Sequence, residues 1–318
     1  MIFSILSNGG LAIIGIYVFY QIYRFYAFYF RIPATPLQAY KRKEGASWAL
    51  ISGSSGGIGY ATAHHLLSLG FGVIIFAHEE ILQAEARLRK DFPNGNIKAF
   101  SFNCMTASIS DIENLVQQVK SLTITILVNN VGSIPQTHPA MRPFADFDPT
   151  TGIDDTISLN AGFMTHLTRL MVPYLKANAS PRSLILNLSS ASYVGLPYMA
   201  LYSATKAYII GLSVSNNREF RVLGIPIDVL AIVPGDVHSM NNRLGVTPGS
   251  PSAIQFAGHV VGRVDEAVRR EMSVVVPYWK HALEMAILEW LPESVRVREM
   301  TKVVVGKRDA WAREYKTL

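Results

Sequence analysis

Apolar residues fall along this 318-residue chain in two patterns. From Ile2 to Tyr23 there is no charge, and Ile, Leu, Phe, Tyr and Val dominate. As one helix this stretch would reach roughly 33 Å, enough to cross a bilayer core. Pro33 and Pro36 break the run. Short apolar runs then alternate with longer stretches of helical spacing. Trp48–Ile51 and Gly72–Ala77 read as buried strands, and Ile97–Phe102, Ile124–Val128, Leu184–Leu188, Ile227–Val233 and Ser273–Val276 as further strands. Between them Ile109–Val119, Asp154–Leu175, Tyr202–Leu223 and Ala253–Arg270 read as helices. The alternation predicts an α/β domain on a doubly wound, parallel, seven-stranded sheet with right-handed crossovers. Beyond Pro277, His281–Pro292 predicts an apolar helix, and a basic tail follows. The expected organisation is a membrane anchor (1–31), a basic linker (32–46), the α/β domain (47–276) and a C-terminal helical extension (277–318).

Charge sharpens this division. The net charge is +6, and it sits at the flanks. Arg24, Arg31, Lys41, Arg42 and Lys43 precede the domain against Glu44, and Arg296–Leu318 holds seven bases and three acids. The middle is slightly acidic, which argues against a nucleic-acid partner and for basic flanks near a membrane. Tyr20, Tyr23, Tyr26 and Tyr29 form an aromatic belt, and the bases after it place the C-terminal side in the cytosol. A secretory signal fits poorly, since no basic region precedes the run and no small-x-small cleavage site follows it. Asn8-Gly9-Gly10 and Gln21 leave a hairpin-like or interfacial insertion open beside a full span. The single cysteine, Cys104, excludes an intrachain disulfide framework, and the eight histidines show no metal-ligand spacing, so no metal site is expected. A homodimer through the long helices is compatible with the pattern but not required by it.

The chemistry concentrates where strands end. Trp48–Ile51 runs into SGSSGGIG, Ser52 to Gly59, in which Gly53, Gly57 and Gly59 keep the spacing G-x-x-x-G-x-G before a helix. Such a loop lets backbone approach a diphosphate at a helix N-terminus. After Gly72–Ala77 a dinucleotide fold reads its cofactor, with an acid for a ribose diol or a base for a 2′-phosphate. Here the order is Ala77-His78-Glu79-Glu80, so His78 favours NADP(H) over NAD(H), and Glu79 keeps that preference modest. In the stretch Leu184 to Tyr208, a hydroxyl pair (Ser189, Ser190) closes an apolar strand, and Tyr202 and Lys206 stand four apart on a helix. Residues so spaced share a face, and an ammonium beside a phenol favours the phenolate. Ser, Tyr and Lys together suit proton transfer to or from a carbonyl or alcohol oxygen. Met240–Ser250, punctuated by Gly and Pro, reads as a mobile flap over a pocket.

In this order the motifs resemble the short-chain dehydrogenase/reductase family, over about Ser47 to Val276, and imply its Rossmann-type fold. The glycine loop, Asn129-Asn130-Val131-Gly132, the serine, Tyr202-x-x-x-Lys206 and Pro234-Gly235 all stand in register. The Asn-Asn-Val-Gly form, the N-terminal anchor and VPYWKHALE resemble the subgroup of seventeen-beta hydroxysteroid dehydrogenases and very-long-chain 3-oxoacyl-CoA reductases. The resemblance implies Tyr202 as acid–base residue, with Lys206 lowering its pKa and binding the nicotinamide ribose, and Asn160 holding a relay water. The family's usual thirteen-residue separation from serine to tyrosine selects Ser189, with Ser190 as the neighbouring alternative. Gly53, Ser54, Ser55, Gly57, Ile58 and Gly59 would cradle the cofactor. His78, Asn103 and Gly132 would contact its adenosine side, Asn130 would bond near the adenosine ribose or the strand end, and Pro234, Gly235, Val237 and Ser239 would contact its nicotinamide side. Asn103 stands where the family has an acid, and His78 where an arginine is common.

The expected activity is hydride transfer between NADP(H) and the carbonyl or secondary alcohol of a lipophilic substrate, such as a long-chain 3-oxoacyl-CoA or a steroid. A ketoreductase of a specialised lipophilic metabolite is one alternative. An inactive, membrane-tethered NAD(P)-binding scaffold is another, and it would be expected to lack Ser189, Tyr202 or Lys206. The resemblance implies the endoplasmic reticulum as the membrane.

Overall fold

The computed structural model describes residues 2–31, 35–134, 141–148, 152–240 and 242–315, with the side chains of 11–31 in the first segment and up to 314 in the last. Pro33 of the linker lies outside them. The chain opens with α1 (Ile2–Phe30) and continues through β1 (Trp48–Ser52), α2 (Gly57–Ser68), β2 (Gly72–Ala77), α3 (Ile81–Asp91), β3 (Ile97–Ser101), α4 (Ile109–Val119) and β4 (Ile124–Asn129). Next come α5 (Gly152–Ile157), a π-helical turn (Ser158–Gly162), α6 (Phe163–Asn178), β5 (Ser183–Leu188), α7 (Ala200–Val222) and β6 (Ile227–Ile232). The last elements are α8 (Ala253–Arg269), β7 (Val274–Val275), α9 (Trp279–Trp290) and α10 (Glu293–Tyr315).

All seven strands are parallel, in the order β3-β2-β1-β4-β5-β6-β7. Because strand side chains alternate, the sheet feeds two cores. Ala49, Ile51, Val73, Ile75, Val128, Leu186 and Ile232 meet Leu66, Phe256 and Val260 on one face. Leu50, Ile74, Phe76, Ile185 and Val229 meet Ile112, Leu115, Phe163, Leu167 and Phe220 on the other. Strand order reverses between β1 and β4, and the crevice outside the C-terminal strand ends at that point is where open α/β sheets take ligands.

Two stretches depart from expectation. The basic tail is helical: α10 runs from Glu293 to Tyr315, and its buried Met300 and Val304 face the crevice. Within the expected linker, Leu37 and Tyr40 are buried in the domain. Leu37 N donates to Asp265 Oδ2 at 3.0 Å, and Tyr40 Oη donates to Asp228 Oδ2 at 2.9 Å. Arg182 holds the same carboxylate through two bonds of 2.6 Å.

α1 is long and apolar enough to cross a membrane over Leu11–Phe30, and 6% of that window is buried. Its last turns dock on the domain. Phe28 is buried, Tyr29 Oη donates to Val276 O at 3.0 Å, and Arg270 Nη2 donates to Arg24 O at 3.0 Å. Buried Arg263 donates to the Arg31 carbonyl at 2.8 Å and to that of Tyr29.

Candidate active site

A cleft of about 1760 Å³ opens along the C-terminal strand ends, walled by the loops after β1, β4, β5 and β6 and covered by α9 and α10. Backbone and the Asn130 amide fill the junction of β1 and α2. Gly53 adopts a left-handed φ of 64°, and a Cβ there would lie 2.8 Å from Val131 Cα. A Cβ at Gly59 would meet the Gly53 carbonyl oxygen at 2.4 Å. Among the described residues no side chain hydrogen-bonds the N-terminus of α2, whose Gly57 and Ile58 line the cleft with Met240 packed close to Gly56. That cradle fits the diphosphate of a dinucleotide.

Ser55 lines the cleft, whereas Ser54 is turned into the core. Ser54 Oγ donates to Ile51 O at 2.9 Å and accepts from Phe76 N at 3.1 Å. Asn130 braces the loop, its Nδ2 donating to Ser52 O at 3.1 Å and Gly53 O at 2.8 Å. Gly132, His78 and Asn103 line the cleft. His78 Nδ1 lies 3.5 Å from Glu79 Oε1, and Asn103 Oδ1 accepts from Met105 N at 3.0 Å. A cation that sequence reasoning missed stands beside this rim. Arg87 of α3 donates from Nη2 to Ser55 O at 2.8 Å, with its guanidinium 4.7 Å from the Tyr60 ring centre.

The serines resolve into different roles. Both line the cleft, but their hydroxyls have different partners. Ser189 is buried, and its Oγ donates to Lys206 O at 2.7 Å. Of the two hydroxyls, that of Ser190 is the one that acts on the titration of the half-buried Tyr202 phenol. Burial pushes the Tyr202 pKa up, and the Ser190 hydroxyl only partly opposes it. Lys206 is buried too, and burial alone draws its pKa down to about 8. Its Nζ donates to Leu188 O at 3.0 Å and lies 5.5 Å from the Tyr202 ring centre. The two groups thus share a face as their spacing predicts, but removal from water, not the ammonium, dominates the phenol's titration.

Asn160 sits in the π-helical turn, fully buried and behind the cleft wall. Its Oδ1 accepts from Ser133 N at 2.9 Å, and its Nδ2 donates to Ser133 O at 2.9 Å and Thr205 Oγ1 at 3.2 Å. The side chain therefore ties the loop after β4 to α7, one residue from Lys206.

Pro234, Gly235, Val237 and Ser239 line the far wall. Here too a residue was missed: His281 of α9, buried, accepts from Gly235 N on Nδ1 at 3.1 Å. Its Nε2 then carries the hydrogen facing Asp236 O, at 3.1 Å. Burial holds this imidazole below its ordinary pKa and so favours the neutral form that the bond requires. Asp236 Oδ1 accepts from Lys307 Nζ at 2.8 Å and Asn242 Nδ2 at 2.7 Å, while Oδ2 accepts from Thr247 N at 2.7 Å. Burial raises the Asp236 pKa, but these bonds outweigh it and leave the carboxyl below the usual value. The expected flap is thus fastened to one carboxylate and to α10.

The short chain dehydrogenase family matches this chain over residues 47–245. A very-long-chain 3-oxoacyl-CoA reductase of Scheffersomyces stipitis is 28% identical over 266 residues, covering 80% of this chain and 74% of its own. A relative of the same description from Caenorhabditis briggsae is 27% identical over 282 residues, covering 86% and 84%. A short-chain dehydrogenase from Sphingobium yanoikuyae, solved in complex with NADPH, shares the fold with a TM-score of 0.61 at 22% identity, over 78% of this chain and 97% of its own. A match spanning more than half the chain, on a sheet wound in this order, makes the protein a member of the short chain dehydrogenase family and an oxidoreductase that works with a nicotinamide cofactor.

Proposed function

We propose that the protein is an NADP(H)-dependent reductase of a lipophilic ketone, of which a long-chain 3-oxoacyl-CoA is the favoured class. α1 would hold it to a membrane, that of the endoplasmic reticulum, with the domain in the cytosol. The observation that carries this is the cleft. It exceeds the ~300–1,000 Å³ of an ordinary ligand pocket, which leaves room for a dinucleotide and a long chain together. Beside Tyr202 its wall is Met141, Met199, Leu196 and Val304, and it continues along Leu288, Leu291, Val297 and Met300. Unbranched, pliable methionines suit an extended alkyl chain.

Bound nicotinamide supplies the hydride, and the chain's own residues manage the oxygen on which charge develops. The raised pKa of Tyr202 keeps its phenol protonated at neutral pH, the state needed to donate a proton to that oxygen. Ser190, rather than Ser189, would hydrogen-bond the same oxygen, because the Ser189 hydroxyl already donates to the Lys206 carbonyl. Lys206, still largely charged at pH 7, would bind a ribose hydroxyl and stabilise the phenolate left behind. Asn160 contributes by fixing α7, while Gly53, Gly57, Ile58, Gly59 and Ser55 bind the diphosphate. His78, with Arg87 close to the same rim, supports the 2′-phosphate reading.

NADPH oxidation by the purified full chain against short ketones, steroids, terpenoid ketones and 3-oxoacyl thioesters of increasing length tests the proposal. Turnover should rise with chain length, and Tyr202→Phe should reduce it by ~10²–10⁴-fold. Equal or better turnover with NADH would overturn the cofactor assignment. No turnover on any substrate would favour the inactive scaffold. Protection of a C-terminal tag from protease in sealed microsomes would overturn the cytosolic placement.

A further inference from the structure

α9 presents an apolar face that none of the described residues of the domain covers. Leu283 is 47% exposed, Ile287 53% and Trp290 91%. With Trp279 and Ala286 they fall on one side of the helix, within an arc of about 100° at 3.6 residues per turn. Glu284 and Glu289 flank the arc and do not enter it, and Lys280 stands at its edge, 5.7 Å from the Trp279 ring centre. A tryptophan so exposed is unusual for a surface that meets only water.

What this face meets follows from where α9 begins. Trp279 packs on Phe30, the last residue of α1, with ring centres 6.2 Å apart, and Phe30 stacks on Tyr26 at 5.7 Å. The end of the apolar helix is held to the domain by Arg263, Arg270 and Tyr29, so the start of α9 is fixed beside it. Aromatic residues and bases gather at this junction (Tyr23, Tyr26, Phe30, Trp279, Arg24, Arg31, Lys280), the composition of a membrane–water interface. We propose that the Leu283–Ile287–Trp290 face of α9 rests in the headgroup layer of the bilayer that holds α1. Ile287, Leu288 and Leu291 also line the cleft. A lipophilic substrate would therefore enter along α9 from the bilayer without crossing bulk water. This inference rests on α1 being a membrane anchor.

The test is site-directed spin labelling of the full chain reconstituted in phosphatidylcholine–phosphatidylserine vesicles. Leu283→Cys, Ile287→Cys and Trp290→Cys are compared with Leu82→Cys, an exposed position on α3, and Ile13→Cys in α1; the native Cys104 is buried. Labels at 283, 287 and 290 should be relaxed by oxygen and shielded from a water-soluble nickel chelate, and the label at 82 the reverse. If 13 lies in lipid while 283, 287 and 290 resemble 82, the inference fails and the anchor stands. If 13 also resembles 82, both fail. Dipolar broadening between labels of different chains would mean that a second copy covers the face, and would overturn the proposal. As a functional arm, Leu283→Ser/Trp290→Ser should raise the apparent KM for a membrane-partitioned ketone severalfold and leave that for a short water-soluble ketone unchanged. Equal effects on the two would also overturn it.

Discussion

Replacing each serine of the pair separately distinguishes a reacting hydroxyl from a structural one. In Ser190→Ala the phenol loses its neighbour and the substrate oxygen loses a donor. Removing one donor to a developing oxyanion costs ~10²–10³-fold in kcat, about 3–4 kcal/mol. Ser190 Oγ also accepts from Ser192 N at 3.2 Å, a long local bond in a short, part-buried turn, so stability should change by no more than ~1 kcal/mol. Ser189→Ala removes the 2.7 Å bond to Lys206 O. That carbonyl lies within α7 and keeps a helical partner, so the loss should be near ~1 kcal/mol, or roughly 2–4 °C in Tm. Activity should fall less than ~10-fold, because the reacting atoms are untouched. Initial rates of NADPH oxidation, paired with thermal melts of the same preparations, read both effects. Near-normal turnover in Ser190→Ala beside a hundredfold loss in Ser189→Ala would refute the assignment and restore the thirteen-residue spacing as the better guide.

Lys206 gives a pH signature. Its folded pKa of about 8 lies below the ordinary 10.5, so burying the ammonium destabilises the fold below pH 8. That penalty lifts as pH rises from about 8 toward 10.5, a gain of up to about 3 kcal/mol relative to Lys206→Met, measured by denaturant midpoints across the range. An equal pH slope in the two proteins would count against it. Gly59→Ala should weaken NADPH binding at least ~10-fold by fluorescence titration, since the new Cβ meets backbone that has no room to move. Asp236→Ala should lower stability by ~3–5 kcal/mol, because it leaves the half-buried Lys307 with Asn242 but no counter-charge and frees the segment at Thr247. Partial proteolysis of that variant should begin at α10; if α10 stays protected, the fastening has been misjudged.

Much of the protein is legible along the chain. Seven apolar runs in alternation with helices determine a parallel sheet, whose five inner strands are covered on both faces and have no solvent side to leave polar, while the edge strand β3 exposes Lys98. The Gly53–Gly59 spacing and the Tyr202–Lys206 interval are local, set by the geometry of one turn and one helix, and both survive folding unchanged. Other features depend on what lies across the crevice. Ser189 and Ser190 are the same residue in adjacent places, and only the folded chain decides which hydroxyl the Lys206 carbonyl takes up. Counting back from Tyr202 cannot see that. Asn160 looks like any mid-helix asparagine until Ser133 and Thr205 meet it. His281, Asp236 and Lys307 are far apart in sequence and find one another only when α9 and α10 fold over the loop after β6. The basic composition after Arg296 suggested a tail, yet Met300 and Val304 have a cleft to cover and so pull the segment into a helix. Short-range patterning is carried by covalent spacing and is readable in one dimension. Burial, and with it the titration of Tyr202 and Lys206, is set by neighbours the chain meets only after it has closed on itself.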